Sequence, residues 1–162
     1  MELVGWRCCL LAGALAFTPP ALSAAEIAGR VSVIDGDTLE IHGQRIRLFG
    51  MDAPESRQTC QDGGGAVYRC GQKAAFALAD LIGARPVTCE ERDIDRYNRV
   101  VAVCTVGGTD LGEWMVAHGW ALAFRRYSED YVATEDAARR ARTGLWAGTF
   151  VPPWEHRAAT RN

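Results

Sequence analysis

An α+β domain built on a five-stranded Greek-key β-barrel of the OB type, with about three helices, is the fold the sequence predicts, and three observations predict it. Five short segments alternate apolar and polar residues, as strands with one buried face do. An alanine-rich helical segment falls between the third and fourth of them, the order expected of an OB barrel. The chain has 162 residues, 48% hydrophobic and 23% charged, which suits one domain with a real core and requires no second.

At the amino terminus, Arg7 precedes an apolar stretch from Cys8 to Phe17, then Pro19-Pro20 and the small residues Ser23, Ala24 and Ala25. This is the plan of a signal peptide over residues 1–25. The apolar run is shorter than the about twenty residues that span a bilayer, so a retained membrane helix is the weaker reading. A secreted or periplasmic monomer with no membrane attachment after cleavage is the expectation.

In RVSVID, Val31 and Val33 alternate with polar partners, and Asp35-Gly36 signals a tight turn before TLEI, where Leu39 and Ile41 alternate again. His42-Gly43 makes the next turn. QRIRLF then puts Ile46 and Leu48 on one face and Arg45, Arg47 and Phe49 on the other. Residues 56–65 read as loop, and Gln72 to Leu81 as an amphipathic helix ended by Gly83. PVTCEER and RVVAVCTV form a second hairpin around DIDRYN. Thr109-Asp110 with Glu113 is a capping pattern for a helix to His118-Gly119. WALAF returns as a short extended segment, a last helix covers roughly Glu129 to Arg142, and residues 151–162 read as a polar tail. Trp114, Trp120 and Trp146 read as packing residues; Trp154 receives no role.

The net charge of −2 supplies no long-range attraction for polyanions and argues against a histone-like or coat-like binder, so contacts to nucleic acid must come from a local cluster of cations. Those cations are nearly all arginine, Lys73 being the only lysine. Removal of a signal peptide leaves Cys60, Cys70, Cys89 and Cys104, an even number in a chain bound for an oxidising compartment. Two disulfides are expected, with metal ligation as the alternative; the scattered His42, His118 and His156 do not offer zinc-type spacing. Cys89 and Cys104 are equidistant from the Arg96-Tyr97 turn, so simple antiparallel register sets them opposite each other and leaves Cys60 for Cys70.

Asp37 starts the second strand and Asp52 lies just past the third, with Glu55 on the loop that follows. Converging carboxylates make an oxygen-rich site of the kind hard cations take. The structural alternative is a plain acidic turn and a loop cap. Arg47, and Arg99 from the second hairpin, could complement the charge that gathers on a phosphoryl group during displacement, with Glu55 as proton acceptor. Arg99 could equally pair with Asp93 or Asp95.

VIDGDTLEI, IRLFGMDAPE, DRYNR and the late GLW, in this order and spacing, resemble the staphylococcal nuclease-like, or thermonuclease, family, over about Gly29 to Trp146. The resemblance implies an OB-fold barrel and calcium-dependent hydrolysis of DNA and RNA to products with 3′-phosphates. It implies that Asp37 and Asp52 ligate Ca2+, that Ala53 adds its backbone carbonyl, and that Arg47, Glu55 and Arg99 are catalytic. Arg96 and Tyr97 correspond to a basic-aromatic pair that contacts a terminal phosphate and sugar, and Tyr127 in AFRRYSED to a base-stacking tyrosine. Two departures are Ala53, where the best-known pattern has threonine, and Asn98, which replaces a glycine and tolerates the same left-handed backbone. Phe124 and Tyr127 could instead simply pack on the last helix. Two rival functions stay open: an OB module that binds nucleic acid or protein without cutting, and a phosphodiesterase for small substrates.

Overall fold

An extended run broken once, at Arg30, opens and closes the sheet of this computed structural model, which describes residues 26–161. The signal-peptide reading of residues 1–25 lies outside the described residues. In chain order come β1 (Glu26–Gly29), β2 (Val31–Val33), β3 (Thr38–Ile41), β4 (Gln44–Leu48), β5 (Met51–Asp52), β6 (Cys60–Gln61) and β7 (Val67–Tyr68). Then follow α1 (Cys70–Ile82), β8 (Val87–Ile94), β9 (Val100–Val106), β10 (Thr109–Asp110) and α2 (Leu111–Ala117). β11 (Leu122–Ala123), α3 (Val132–Ala141), a 3-10 turn over Gly144–Ala147 and α4 (Pro153–Thr160) complete the described chain. The main sheet has the order β1-β8-β9-β4-β3-β2, with β4 and β9 parallel and the other neighbours antiparallel. Because β1 and β2 belong to one run, the two ends of that order meet. The result is a nearly closed five-stranded barrel of OB type, as the strand and helix order predicts.

Alternation along the strands fills the barrel. Leu39 and Ile41 of β3, Ile46 and Leu48 of β4, and Val100, Ala102, Cys104 and Val106 of β9 are all buried, and Leu78, Ile82, Leu111 and Met115 of the helices close over them. His42 and Gly43 both have positive φ (51° and 81°), the backbone a two-residue hairpin with right-handed strand twist demands. Gly36 is needed for a different reason: a Cβ there would lie 2.7 Å from the Cβ of Ala53. The DGD turn is therefore pressed directly onto the loop that follows β5.

α1 starts two residues earlier than predicted, at the Cys70 half of the Cys60–Cys70 disulfide. Asp110 caps α2 by accepting the Glu113 N–H at 3.1 Å, as the pattern predicts. The last predicted helix is shorter than expected: residues 129–131 form a turn, and helix begins at Val132. One expectation is corrected. Residues 56–65 are not all loop, because Cys60–Gln61 pairs with Val67–Tyr68 around a turn in which the Asp62 carboxylate accepts the N–H groups of Gly64 and Ala66. The stretch read as a polar tail also carries structure: Pro153–Thr160 forms α4. Trp154 stacks on Phe124 (5.6 Å between centroids, 18° between planes), and Leu122, Leu145, Trp146, Phe150 and Trp154 gather over the Cys60–Cys70 bridge in a second small core. Cys89 and Cys104 sit opposite each other in the β8–β9 register and are bonded, so the predicted pairing stands for both bridges. No helix of the described residues is long and apolar enough to cross a membrane.

Candidate active site

Three separate stretches of chain bring the acids together. Asp37 precedes β3, and its backbone carbonyl accepts the Leu48 N–H at 2.9 Å, which ties the DGD turn to the end of β4. Asp52 ends β5, whose pairing with Leu122–Ala123 of β11 leaves its side chain fully buried. β11 is fixed in turn by the buried Glu135, which accepts the Ala123 N–H at 3.1 Å and meets Arg125 at 2.6 Å. The Ala53 N–H donates to Asp37 Oδ2 at 3.3 Å, so Ala53 touches this acid through its amide. Glu55 follows on the proline-stiffened loop. Its N–H donates to Gln58 Oε1 at 3.2 Å, and its carbonyl accepts the Gln58 N–H at 2.7 Å.

Arginine fills the space between the acids. Arg47 lies on the outward face of β4, opposite Thr38, and bridges Asp37 Oδ2 (3.0 Å) and Asp52 Oδ1 (2.6 Å). A second guanidinium arrives from α4: Arg157 forks onto Asp52 Oδ1 (3.0 Å) and Oδ2 (2.7 Å) and reaches Glu55 Oε1 at 2.8 Å. Burial disfavours the charge on Arg47, but Asp37 and Asp52 outweigh it and raise its pKa. Arg157 is raised in the same manner by Asp52 and Glu55 against the pull of burial. Burial pushes the Asp52 carboxyl up, with Asp37 adding to it and the two guanidiniums opposing. Asp35, desolvated and beside Asp37, is pushed up to about 6.

Other predicted site residues stand further out. Arg99 is directed at Asp95, with Nε and Nη2 on Oδ2 at 2.8 and 2.7 Å. It lies just ahead of β9, two residues before Val101, the partner of Arg47 across the parallel β4–β9 pair. Burial works against the Asp95 charge, but hydrogen bonds from Arg99 and from the Arg99 and Tyr97 amides hold its pKa below the usual carboxylate value. Asn98 takes the left-handed conformation (φ 60°) that its place in the turn requires. The guanidiniums of Arg96 and Arg99 flank the Tyr97 ring at 4.9 and 5.5 Å, and that ring is 64% exposed. Tyr127 is 65% exposed and lies 5.1 Å from Phe124. The structure thus joins Asp37, Arg47, Asp52, Ala53 and Glu55 in one cluster and leaves Arg96, Tyr97, Arg99 and Tyr127 outside it.

The cluster's donor set consists of hard carboxylate oxygens, which suits a divalent cation such as calcium. A carboxylate offers about four acceptor positions. Asp37 uses three, for Thr38, Arg47 and Ala53, and Asp52 uses three, for Arg47 and the two Arg157 nitrogens. One position remains on each. Among the described residues no three His, Cys, Asp or Glu side chains gather tightly enough to hold an ion unaided, so carbonyl, water and substrate oxygens would complete such a shell.

Comparison with known proteins decides the family. The model for staphylococcal nuclease homologues matches residues 45–148. The chain belongs to the staphylococcal nuclease family. Among its relatives are the succinoglycan biosynthesis protein ExoI of Rhizobium meliloti, 41% identical over 136 residues (82% of this chain, 71% of that protein), and a micrococcal nuclease of Shigella flexneri, 34% identical over 150 residues (82% and 80%). An uncharacterized endonuclease of Escherichia coli is 33% identical over 139 residues (80% and 84%). As a staphylococcal nuclease homologue the chain belongs to a family of nucleases, enzymes whose substrates are nucleic acids.

Sequence reasoning missed Arg157 and Gln58. Arg157 lies beyond the stretch that carries the family motifs, yet a signal was present: Pro152-Pro153 with Glu155 behind it is a helix start with proline at the first turn and an acid near the positive end of the helix dipole. Gln58 is buried and bonds both Glu55 and the Val151 carbonyl, a contact across 93 residues that no local pattern announces.

Proposed function

We propose that this nuclease is an exported, calcium-dependent monomer that hydrolyses phosphodiester bonds of DNA and RNA and leaves 3′-phosphates. The observation that carries the reading is the pair of buried acids, Asp37 and Asp52, bridged by Arg47 with Glu55 at the exposed rim. Calcium held by Asp37 and Asp52, with the Ala53 carbonyl, would polarise the phosphate for attack. Glu55, with a side chain 40% exposed, accepts the proton of the attacking water as the water oxygen bonds to phosphorus. The P–O5′ bond then breaks, the phosphate stays on the 3′ oxygen, and the 5′ oxygen takes up a proton. Arg47 and Arg99 stabilise the charge on the nonbridging oxygens, Arg99 by exchanging Asp95 for the phosphate. Arg96 and the exposed rings of Tyr97 and Tyr127 supply the local cation and stacking surfaces that a chain of net charge −2 needs. Export agrees with the two disulfides.

A module that only bound nucleic acid would use the aromatics and arginines but would have no need of Glu55 or of two buried acids. Steady-state kinetics separate the readings. Glu55→Gln and Arg47→Ala should each lower kcat on DNA by on the order of a hundredfold with the fold intact, and Arg47→Lys should not recover it, because a point charge cannot replace a fork. Near-wild-type turnover of Glu55→Gln at saturating substrate and calcium would refute its role as base.

A further inference from the structure

We propose that Arg157 is a positioning residue of the active site: it holds the Glu55 carboxylate against the rigid frame of Asp52, so that the base meets the attacking water in one orientation. The inference rests on the nuclease reading above and adds to it a residue outside the motif-bearing stretch.

The backbone of Glu55 is fixed by both of its bonds to Gln58. Its side chain is a different matter. It projects from a loop, is 40% exposed, and among the described residues has Arg157 as its one hydrogen-bonded partner. The same nitrogen that reaches Glu55 Oε1 at 2.8 Å also reaches Asp52 Oδ1 at 3.0 Å, while the other terminal nitrogen holds Asp52 Oδ2 at 2.7 Å. A guanidinium is planar and its donors form a fixed fork. Asp52 is fully buried, bonded to Arg47 and anchored in the β5–β11 pair, so it cannot follow Arg157; the orientation of Arg157, and through it that of Glu55, follows from Asp52. Exposed ion pairs orient little, but this one is anchored at its buried end.

The element that delivers Arg157 is tied to the Glu55 loop at a second point. Gln58, which bonds the Glu55 amide, also donates to the Val151 carbonyl at 2.7 Å, just ahead of α4. Trp154, one turn before Arg157, is seated on Phe124. Loop and helix are thus joined both by backbone and by side chain. If Arg157 instead obstructed the acids, its removal would free them. The acceptor position left on each of Asp37 and Asp52 favours the positioning role.

The test is a double-mutant cycle on the full mature chain, with kcat and KM on DNA for wild type, Arg157→Ala, Arg157→Lys, Glu55→Gln and the Arg157→Ala/Glu55→Gln double variant. Calcium affinity by calorimetry without substrate, thermal unfolding and Trp154 fluorescence accompany it, the last two showing that α4 remains docked. Arg157→Ala should lower kcat by roughly tenfold to a hundredfold with KM changed less than about threefold, the size expected of a misplaced catalytic group. Lysine should not restore the loss, and added guanidinium ion should restore part of it. In the Glu55→Gln background the same change should cost less than about threefold, because the base it orients is already gone. Should Arg157→Ala undock α4, Arg157→Lys, which keeps the stem and one donor, takes its place in the cycle. A loss that persists in full without Glu55 would overturn the proposal, as would tighter calcium binding with faster turnover in Arg157→Ala, the signature of an obstructing arginine. Wild-type cutting with an unaffected Arg157→Ala overturns positioning alone, whereas a wild type that cuts neither DNA nor RNA in any divalent cation overturns the nuclease reading.

Discussion

Gly71 is the second residue of α1, and a Cβ built on it would lie 1.8 Å from the carbonyl oxygen of Glu55 and 2.5 Å from its carbonyl carbon. Gly71→Ala is therefore a perturbation aimed, through its backbone, at the loop of Glu55, the proposed base. Cβ atoms essentially never approach other atoms closer than 3.0 Å, so helix and loop must separate by about 1 Å. Alanine's higher helix propensity returns about 1 kcal/mol, against about 1–3 kcal/mol for overpacking, so global stability should fall by no more than about 2 kcal/mol. The displacement, however, falls on Glu55, and about 1 Å of misplacement at a reacting group can cost a hundredfold in rate. The expected result is a melting temperature lowered by a few degrees together with a kcat lowered by more than about tenfold, measured on DNA at saturating calcium. Gly64→Ala, whose Cβ would meet only the Asp62 carboxylate at 3.4 Å, is the control and should turn over like wild type. Wild-type kcat in Gly71→Ala would refute the claim that the position of this loop sets the chemistry.

Asp52→Asn puts a donor against two guanidiniums at 2.6 and 2.7 Å and removes a charge from the acid pair, so calcium affinity by calorimetry and activity at limiting calcium should both fall; equal activity to wild type would refute its assignment as ligand. Burial and the Asp37 charge raise Asp35 from 3.8 to about 6, so between those values the folded chain holds a proton that the unfolded chain has released. That contribution is complete below the unfolded value and is lost as pH rises through about 6. Asp35→Asn should thus gain on wild type by at most roughly 3 kcal/mol at pH 8 and by little near pH 4, read from urea midpoints in chelator; an equal difference at both pH values would contradict it. The bridges Cys60–Cys70 and Cys89–Cys104 span 10 and 15 residues, and their removal by paired Cys→Ser changes should each cost roughly 3 kcal/mol by urea unfolding. If the first also braces Glu55, its loss should lower kcat at a temperature where the protein stays folded; unchanged kcat would mean plain stabilisation.

What was legible in the sequence was local. Period-two alternation places Ile46 and Leu48 inside and Arg47 outside, and the structure agrees. Equal spacing from the turn sets Cys89 opposite Cys104. The acids meet because β4 pairs with β3 and returns to the Asp37 turn, where the Leu48 N–H bonds the Asp37 carbonyl, and Asp52 follows four residues later. What was not legible depends on tertiary contact. The Arg157–Asp52 fork spans 105 residues, and no periodicity within α4 shows which side chain turns toward the barrel. β6 and β7 are two residues each, too short for alternation to register against a loop-like composition, and the disulfide beside them helps hold the pair. Arg99 rests on Asp95, four residues before it, one of the two partners its spacing allowed.

The central claim, that the buried acid pair with Glu55 and the arginines makes a metal-dependent phosphodiesterase, is tested most directly by cleavage of end-labelled DNA and RNA by the purified protein in calcium, in magnesium and in chelator. Analysis of the product ends and the Glu55→Gln variant run alongside. The account predicts cutting of both polymers in calcium, arrest by chelator, 3′-phosphate ends and a loss of about a hundredfold in Glu55→Gln. Absence of cutting in every divalent cation, or cutting that persists undiminished in chelator or in Glu55→Gln, would contradict it.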